Sequence, residues 1–392
     1  MRKKIKNQIY GIVYFIIISG IIGYFCYLGV LSTYPSKKYP SHGIYINSDN
    51  DLLEYGFPGS GTQSDPYIIE GYTILNYYAP YAIHIEAVSK FVIIQNNFLQ
   101  AGGNAIEVIL VGSHTIKIIN NTCVGYLYSW EPHHTGLGIY NTDGCYICNN
   151  TCLNFYEGIE LSHCDNCIII NNQLKDNGRN IVISSCSNIN IANNSLIVYQ
   201  KGGGYYYRTF LYYHDSLYIG DCKNISIKMN TFENSGLYFY NTNASSLNVQ
   251  DNLVNGFELG YFIDENNLEI NSSSIFGQLF FINCTNSIIR NQEIRASNNG
   301  IILINCLNFT ISFCNCSNDF RGGISLRNSE KITISNSTFD NNDAGATVSY
   351  SDNIIILHNN FSNNIYGIYL IDSNCTYNEN YFYNNTYDVR VS

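Results

Sequence analysis

The feature that most constrains this chain is a unit of 22 residues that occurs twice in succession. Residues 158–174 read G-I-E-L-S-H-C-D-N-C-I-I-I-N-N-Q-L, and residues 180–196 read N-I-V-I-S-S-C-S-N-I-N-I-A-N-N-S-L. Asn172 and Asn194 occupy equivalent places in the two copies, and Ile169 and Ile191 precede them by three residues. A unit this short cannot bury an apolar face alone, so the copies must pack on one another.

The same pattern recurs along the chain in thirteen copies, most of them 19 to 25 residues apart. Apolar residues stand three and five positions before the reference position and two positions after it. This alternation has a period of two, which is typical of strands and not of helices. Each copy also has an apolar pair further upstream, as at Ile159 and Leu161. The sequence therefore predicts three short strands per copy and a stacked solenoid without helices.

The repeats resemble those of the right-handed parallel β-helix, in the pectate-lyase-like group and closest to NosD-like proteins. Gly59–Tyr72, which reads G-S-G-T-Q-S-D-P-Y-I-I-E-G-Y, is similar to the opening of NosD-like β-helix proteins of archaeal surfaces. The resemblance covers roughly residues 44–389. It implies an all-β, single-stranded β-helix of about thirteen coils and a ladder of inward asparagine side chains. The ladder positions are Asn96, Asn121, Asn150, Asn172, Asn194, Asn230, Asn252, Asn359 and Asn380.

The amino-terminal segment predicts a membrane anchor. Residues 9–31 form an uncharged apolar run of 23 residues, which follows Arg2, Lys3, Lys4 and Lys6. As a helix this run would span about 34 Å, enough to cross a bilayer. We expect a basic stub and transmembrane signal anchor at residues 1–31, a linker at 32–43, a capping segment at 44–80 and β-helix repeats at 81–392. The repeats would then lie outside the cell.

The charge balance bears on the partners. The chain has 20 basic and 30 acidic residues and a formal net charge of −10. Nucleic acid is therefore not an expected partner, since binding to its phosphates requires a basic surface. Apart from the membrane, the expected partner is a polysaccharide or a surface glycan.

Two intervals in the repeat are long, at 29 residues from Asn121 to Asn150 and 36 residues from Asn194 to Asn230. The extra residues fall after the third strand of a coil in both cases, and insertions in repeat proteins often mark the binding face. Their aromatic and titratable side chains suit stacking on sugar rings and hydrogen bonding to hydroxyl groups. They could equally cover outward apolar residues. The candidate ligand-binding residues are Trp130, Glu131, His133, His134, Tyr205, Tyr206, Tyr207, Arg208, Tyr212 and His214.

The cysteines have a spacing that is typical of a zinc ribbon, since Cys145, Cys148, Cys164 and Cys167 form two C-x-x-C pairs. The repeat register argues against such a site, because Cys145 and Cys167 are equivalent inward positions of adjacent coils. We expect these cysteines to act as small buried apolar residues. Disulfide formation between coils and a metal role, including copper by analogy with NosD, stay open as alternatives.

Asp143 and Asp165 also stack at equivalent positions, and Asn141-Thr-Asp-Gly144 looks like the first motif of polygalacturonases. The remaining motifs of that family are missing, and Asp is common in tight turns. We therefore assign no catalytic residue, metal or cofactor. The function expected is a membrane-anchored cell-surface protein that binds glycans or serves as a structural or adhesive module. A polysaccharide lyase, glycoside hydrolase or epimerase is the alternative that the fold resemblance implies.

Overall fold

The computed structural model describes residues 43–125, 134–198 and 215–392. They form an all-β parallel solenoid of about 14 turns, as the repeats predicted, with one short helix, α1 (Asp49–Glu54), and one 3-10 turn (Ala244–Ser246). The strands form two stacks of coils. Within the described residues, no helix is long and apolar enough to cross a membrane. The predicted anchor at residues 1–31 and residues 32–42 of the predicted linker lie outside these residues.

The first stack has three parallel sheets of eight strands each, since every coil adds one strand to each sheet. Sheet A contains Ile44–Ile46, Tyr81–Glu86, Asn104–Ile109, Thr135–Tyr140, Glu157–Ser162, Arg179–Ser184, Leu217–Gly220 and Leu237–Tyr240. Sheet B contains Tyr67–Glu70, Val92–Gln95, Ile116–Ile119, Tyr146–Cys148, Ile168–Ile170, Ser187–Ala192, Lys223–Lys228 and Leu247–Gln250. The first part of sheet C contains Thr73–Asn76, Phe98–Ala101, Thr122–Val124, Thr151–Leu153, Gln173–Lys175, Ser195–Ile197, Thr231–Glu233 and Leu253–Val254.

The second stack extends sheet C and adds two further sheets. The second part of sheet C contains Phe257–Ile263, Phe276–Ile282, Asn299–Ile304, Gly322–Arg327, Ala344–Ser349, Tyr366–Ile371 and Tyr387–Val391. Sheet D contains Glu269–Ile270, Thr285–Arg290, Leu307–Ser312, Glu330–Ser335, Ile354–Leu357 and Cys375–Thr376. Sheet E contains Glu293–Arg295, Asn315–Ser317, Thr338–Asp340, Asn360–Ser362 and Tyr381–Tyr383.

Segment 44–80 supplies the first strand of each sheet in the first stack. Ile44–Ile46 pairs with Tyr81–Glu86, so this segment is itself a coil. Helix α1 interrupts it, buries Leu52 and begins after Ser48, whose side chain accepts a hydrogen bond from the Asp51 backbone. The helix thus packs an apolar residue against the first turn of the solenoid.

Inside each stack the apolar columns meet in a dry core. Ile169 and Ile191 are fully buried and pair in register, because inward side chains alternate with outward ones. The Asn172 amide donates to Ile147 O at 3.1 Å and to Asn194 Oδ1 at 3.0 Å. Equivalent amide bonds join Asn121, Asn150, Asn194, Asn230 and Asn252, and also Asn359 and Asn380. Each side chain thereby satisfies backbone groups where the chain turns between sheets B and C.

Asn96 does not lie in this ladder, and the prediction that it does is wrong. Asn97 occupies the position, is fully buried and donates to Asn121 Oδ1 at 2.9 Å. Asn96 has a φ of 54° and donates instead to Glu70 at 2.8 Å. In such Asn-Asn pairs the first residue adopts the left-handed backbone conformation, which asparagine tolerates, and the side chain of the second belongs to the ladder. The pair Asn171 and Asn172 divides the two tasks in the same way.

The repeats suggest one uninterrupted rod, but the structure has a break at Asn255 and Gly256. Here Leu253–Val254 and Phe257–Ile263 pair antiparallel, whereas all other paired strands in the described residues run parallel. The Gln278 side chain bonds both backbone groups of Leu237 at 3.0 Å and so occupies the exposed edge of sheet A. Each stack has a hydrophobic core of its own. We call the junction between the two stacks the seam.

Candidate functional site

The outward surface of sheet A carries a group of titratable and aromatic side chains that contact one another. We call this surface the polar face. Strand register places one residue of each strand in its central row. In spatial order the row contains Tyr45, His84, Glu107, Gly138, Glu160, Val182, Tyr218 and Tyr238. Aromatic rings thus stand at both ends of the row and carboxyl groups near its middle.

At one end of the polar face, His84 and Glu107 form a buried pair. His84 Nδ1 lies 2.9 Å from Glu107 Oε2, and both side chains are less than a tenth exposed. The Asn104 amide donates to the other oxygen of Glu107 at 2.8 Å. The Tyr81 ring packs 4.8 Å from the His84 ring, and burial and Glu107 raise the pKa of Tyr81. Burial of this pair is tolerated because each polar atom finds a partner.

In the middle of the polar face two carboxyl groups share a site. The Tyr140 hydroxyl donates to Glu160 Oε2 at 2.6 Å. The Tyr140 ring packs directly over Gly138, where a Cβ atom would lie only 2.9 Å from the ring. Burial and the adjacent Glu160 carboxyl raise the pKa of Glu157 to about 8, although Arg179 at 3.5 Å favours its charged form. Two carboxylates this close resist joint ionisation, so Glu157 keeps its proton near neutral pH.

At the other end, arginine side chains stack on tyrosine rings. Arg179 lies 4.7 Å from the Tyr218 ring centre, and Arg321 lies 3.8 Å from that of Tyr238. Arg321 belongs to the second stack and makes two hydrogen bonds to the fully buried Asp215, at 3.0 and 2.8 Å. The polar face therefore runs into the seam and is completed there by the second stack.

The two inserted segments are connected in sequence to strands of sheet A. Residues 126–133 precede strand Thr135–Tyr140, and residues 199–214 precede Leu217–Gly220, so both follow a sheet C strand and lead into sheet A. His134 is described; its ring lies 6.2 Å from that of Phe155, and its carbonyl accepts from the Tyr156 backbone at 3.1 Å. The other predicted ligand residues lie outside the described residues: Trp130, Glu131, His133, Tyr205, Tyr206, Tyr207, Arg208, Tyr212 and His214.

The polar face was not predicted from the sequence, although a signal was present. Glu160 stands between inward Ile159 and Leu161, and Tyr218 stands between Leu217 and Ile219. The residue between two inward residues of a first strand must point outward, and at several coils it is acidic or aromatic. Reading that position down the repeats would have found the central row.

The cysteines stack along the solenoid, as the register predicted. The Cys145 backbone donates to Cys167 Sγ at 3.3 Å, and the Cys164 backbone donates to Cys186 Sγ at 3.3 Å. The described cysteines are free thiols, and all but Cys375 are buried. Burial raises the pKa of Cys306 to about 12, so its thiol stays protonated.

Asp143 and Asp165 act as turn residues. Asp143 accepts a hydrogen bond from the Asp165 backbone at 2.8 Å, and Asp165 accepts from the Ser187 backbone at 2.8 Å. Each carboxylate therefore binds a backbone group of the next coil, and not the local backbone group that is typical of Asp in a tight turn.

The family model for NosD, described as a periplasmic copper-binding protein, matches residues 66–209 and 263–392, which is more than half of the chain. The chain belongs to the NosD family. No curated protein matches it.

Three solved structures illustrate what this NosD-family chain is similar to. A double mutant of the periplasmic alginate epimerase AlgG is 11% identical over 89% of this chain and 84% of that one, with a TM-score of 0.30. An exopolygalacturonase from Thermotoga maritima is 8% identical over 93% and 95%, with a TM-score of 0.33. The surface protein and adhesin PfbA of Streptococcus pneumoniae is 13% identical over 88% and 100%, with a TM-score of 0.28. None of these similarities assigns an activity to this chain.

The description of the family raises the question of a copper site. Thiolates and imidazoles are suitable copper ligands. In the described residues, however, no three His, Cys, Asp or Glu side chains are placed to hold a metal ion. The buried thiols follow the solenoid axis and donate to backbone carbonyls, as Cys164 does to Ile139 O at 3.4 Å. The described part of the NosD-family chain therefore does not fit a copper centre.

Proposed function

We propose that this NosD-family protein binds glycans along the polar face. The observation that carries the proposal is the central row, in which aromatic rings and carboxyl groups share one outward surface over eight strands. Tyr45, Tyr81, Tyr140 and Tyr218 are each half-buried, so part of each ring remains accessible on this surface. Sugar rings stack on such faces, and carboxylates accept hydrogen bonds from sugar hydroxyl groups.

The shape and charge of the polar face favour an extended, uncharged glycan. Successive strands lie about 4.8 Å apart, a spacing close to the length of one hexose unit. Glu86, Glu107 and Glu160 outnumber Arg179 and Arg321, and Arg321 is already paired with the buried Asp215. A polyanionic glycan would meet unfavourable charge on this surface.

The hydrogen bonding suits binding more directly than chemistry. Burial and Glu160 raise the pKa of Tyr140, so its hydroxyl remains a donor and is already bonded to Glu160. The enzyme alternative is supported by Glu157, since a carboxyl group that keeps its proton near neutral pH can serve as a general acid. Release of reducing ends from a bound glycan, abolished by Glu157→Gln, would establish that alternative.

A glycan array tests the binding function. The full-length protein should bind at least one neutral glycan, and Tyr81→Ala should weaken that binding at least about tenfold by removing a stacking ring. Thr310→Ala, on the exposed face of sheet D, is the matched control and should bind normally. If no neutral glycan is bound, or if both variants bind equally, the polar face is not the binding surface.

The surface location is part of the proposal, and it rests on the uncharged run at residues 9–31. Protease added to intact cells should remove the β-helix. Survival of the β-helix in intact cells, followed by cleavage after lysis, would contradict this location.

A further inference from the structure

The seam contains a half-open cavity of about 300 Å³, and its lining includes none of the central-row residues of the polar face. One wall comes from the end of sheet A and the 3-10 turn, and the other from the ends of second-stack strands. The cavity is lined by residues of both stacks: Phe239, Asn241, Thr242, Asn243, Ala244, Ser245, Ile282, Asn283, Ile304, Asn305 and Arg327. We call it the seam cavity. Clefts between packed units are frequent ligand sites, and this volume is near the lower end for small molecules.

Arg327 gives the seam cavity its charge. It ends strand Gly322–Arg327, and strand register places it beside Ile304, which in turn pairs with Ile282. The side chain is half-buried, and its guanidinium group has no ion pair or hydrogen bond to the described residues. The described lining includes no Asp or Glu. A partly desolvated guanidinium group without a partner favours an anion, and its planar donors match a carboxylate.

The remaining lining combines an apolar floor with polar atoms. Phe239 and Ile282 are buried and form apolar surface, while Asn241 and Asn305 stand at the exposed margin. Their amide nitrogens are engaged, since Asn241 donates to Asp221 and Asn305 donates to Asn283 at 3.1 Å. Their amide oxygens remain able to accept hydrogen bonds from a ligand's hydroxyl groups. A hexose ring has the matching chemistry, because its ring carbons are apolar and its hydroxyl groups lie at the edge.

We propose that the seam cavity binds a single sugar unit that carries a carboxylate, with Arg327 as the partner of that carboxylate. The site is separate from the polar face and does not depend on it. The ring lies on the apolar floor formed by Phe239 and Ile282, and the amide oxygens of Asn241 and Asn305 accept hydrogen bonds from its hydroxyl groups. Inorganic phosphate shares the negative charge but lacks the ring.

The test is to titrate the full-length protein separately with sodium D-glucuronate, D-glucose, sodium acetate and inorganic phosphate. Ligand-observed NMR gives the affinity for each ligand. Glucuronate should bind at least tenfold more tightly than each of the other three. Arg327→Gln should weaken glucuronate binding at least tenfold. Arg295→Gln, which changes an exposed arginine paired with Glu293, should leave it unchanged.

Ser245→Asp provides a second variant that leaves Arg327 in place. Ser245 is exposed at the cavity margin, so a carboxylate there should repel the ligand and also weaken glucuronate binding at least tenfold without loss of strand signal in circular dichroism. Absence of glucuronate binding, equal binding of glucose, or unchanged affinity in Arg327→Gln would overturn the proposal. Tighter binding of phosphate than of glucuronate would show that the cavity binds a simple anion and not a sugar, and would also overturn the proposal. Glu160→Gln should leave glucuronate binding intact, which separates this site from the polar face.

Discussion

The backbone N–H of Asp319 donates to Asn342 Oδ1 at 2.8 Å, which places Asp319 one coil before Asn342 in a second column of inward side chains. The Asn342 amide donates to Cys316 O at 3.1 Å, and Asn364 in the next coil donates to Phe339 O at 3.0 Å. At the place where Asn342 and Asn364 have a side-chain NH2 group, Asp319 has a second carboxyl oxygen. That oxygen, Oδ2, is buried without a hydrogen-bond partner, whereas Oδ1 accepts from the Ser297 backbone at 2.8 Å.

Asp319→Asn should stabilise the protein, and more so as the pH rises. Burial raises the pKa of Asp319 to about 8, above its ordinary value of 3.8. The folded state therefore holds the proton more tightly, and stability falls as the pH rises from the ordinary value to about 8. Each pH unit in that window costs up to about 1.4 kcal/mol. Urea unfolding should show a difference in the free energy of unfolding between Asp319→Asn and wild type that is larger at pH 8 than at pH 5. A difference that does not change with pH, or one equal to that of the exposed control Asp352→Asn, would contradict this role.

The first ladder allows a matched comparison of neighbouring residues. Asn172→Ala should lower the free energy of unfolding by about 1 to 3 kcal/mol, because it leaves buried backbone groups without their partner. Gln173→Ala, on the exposed side of the next strand, should change it by less than about 0.5 kcal/mol. Chemical denaturation gives both values. Equal effects would mean that the inward and outward assignments are incorrect.

Arg321 holds the two stacks together through a buried partner. Arg321→Ala should destabilise the protein by about 2 to 4 kcal/mol, since it leaves the carboxylate of Asp215 buried without its ion pair. Arg295→Ala removes only an exposed pair and should cost less than about 1 kcal/mol. Thermal unfolding, monitored by circular dichroism, distinguishes the stability of the two variants. If Arg321→Ala unfolds like wild type, the seam does not depend on this ion pair.

The sequence predicts the solenoid because the same side-chain type recurs at the same place in most coils. Ile169 and Asn172 each belong to such a column, so their burial follows from repetition alone. Asn96 was misplaced because either residue of an Asn-Asn pair fits the pattern, and only backbone conformation separates them. The break between the stacks had a signal as well, since Asn255-Gly256 is a typical two-residue hairpin turn.

The candidate site was less accessible to sequence reasoning. Glu107 and Glu160 occupy the same outward position in different coils, but the residue type at that position varies from tyrosine and histidine to glycine and valine, so it does not stand out as the inward columns do. Asp215 and Arg321 are 106 residues apart and meet only because the second stack packs against the first. The inserted segments stood out because they break the period, whereas the polar face keeps it.

The most direct test of the central claim is the affinity of one neutral oligosaccharide, chosen from the array, for three forms of the full-length protein. Glu160→Gln keeps the size of the side chain and an acceptor for the Tyr140 hydroxyl but removes the charge in the middle of the polar face. Isothermal titration calorimetry should show at least about tenfold weaker binding for Glu160→Gln than for wild type, and wild-type affinity for Thr310→Ala. Equal affinity of all three forms would contradict glycan binding on the polar face.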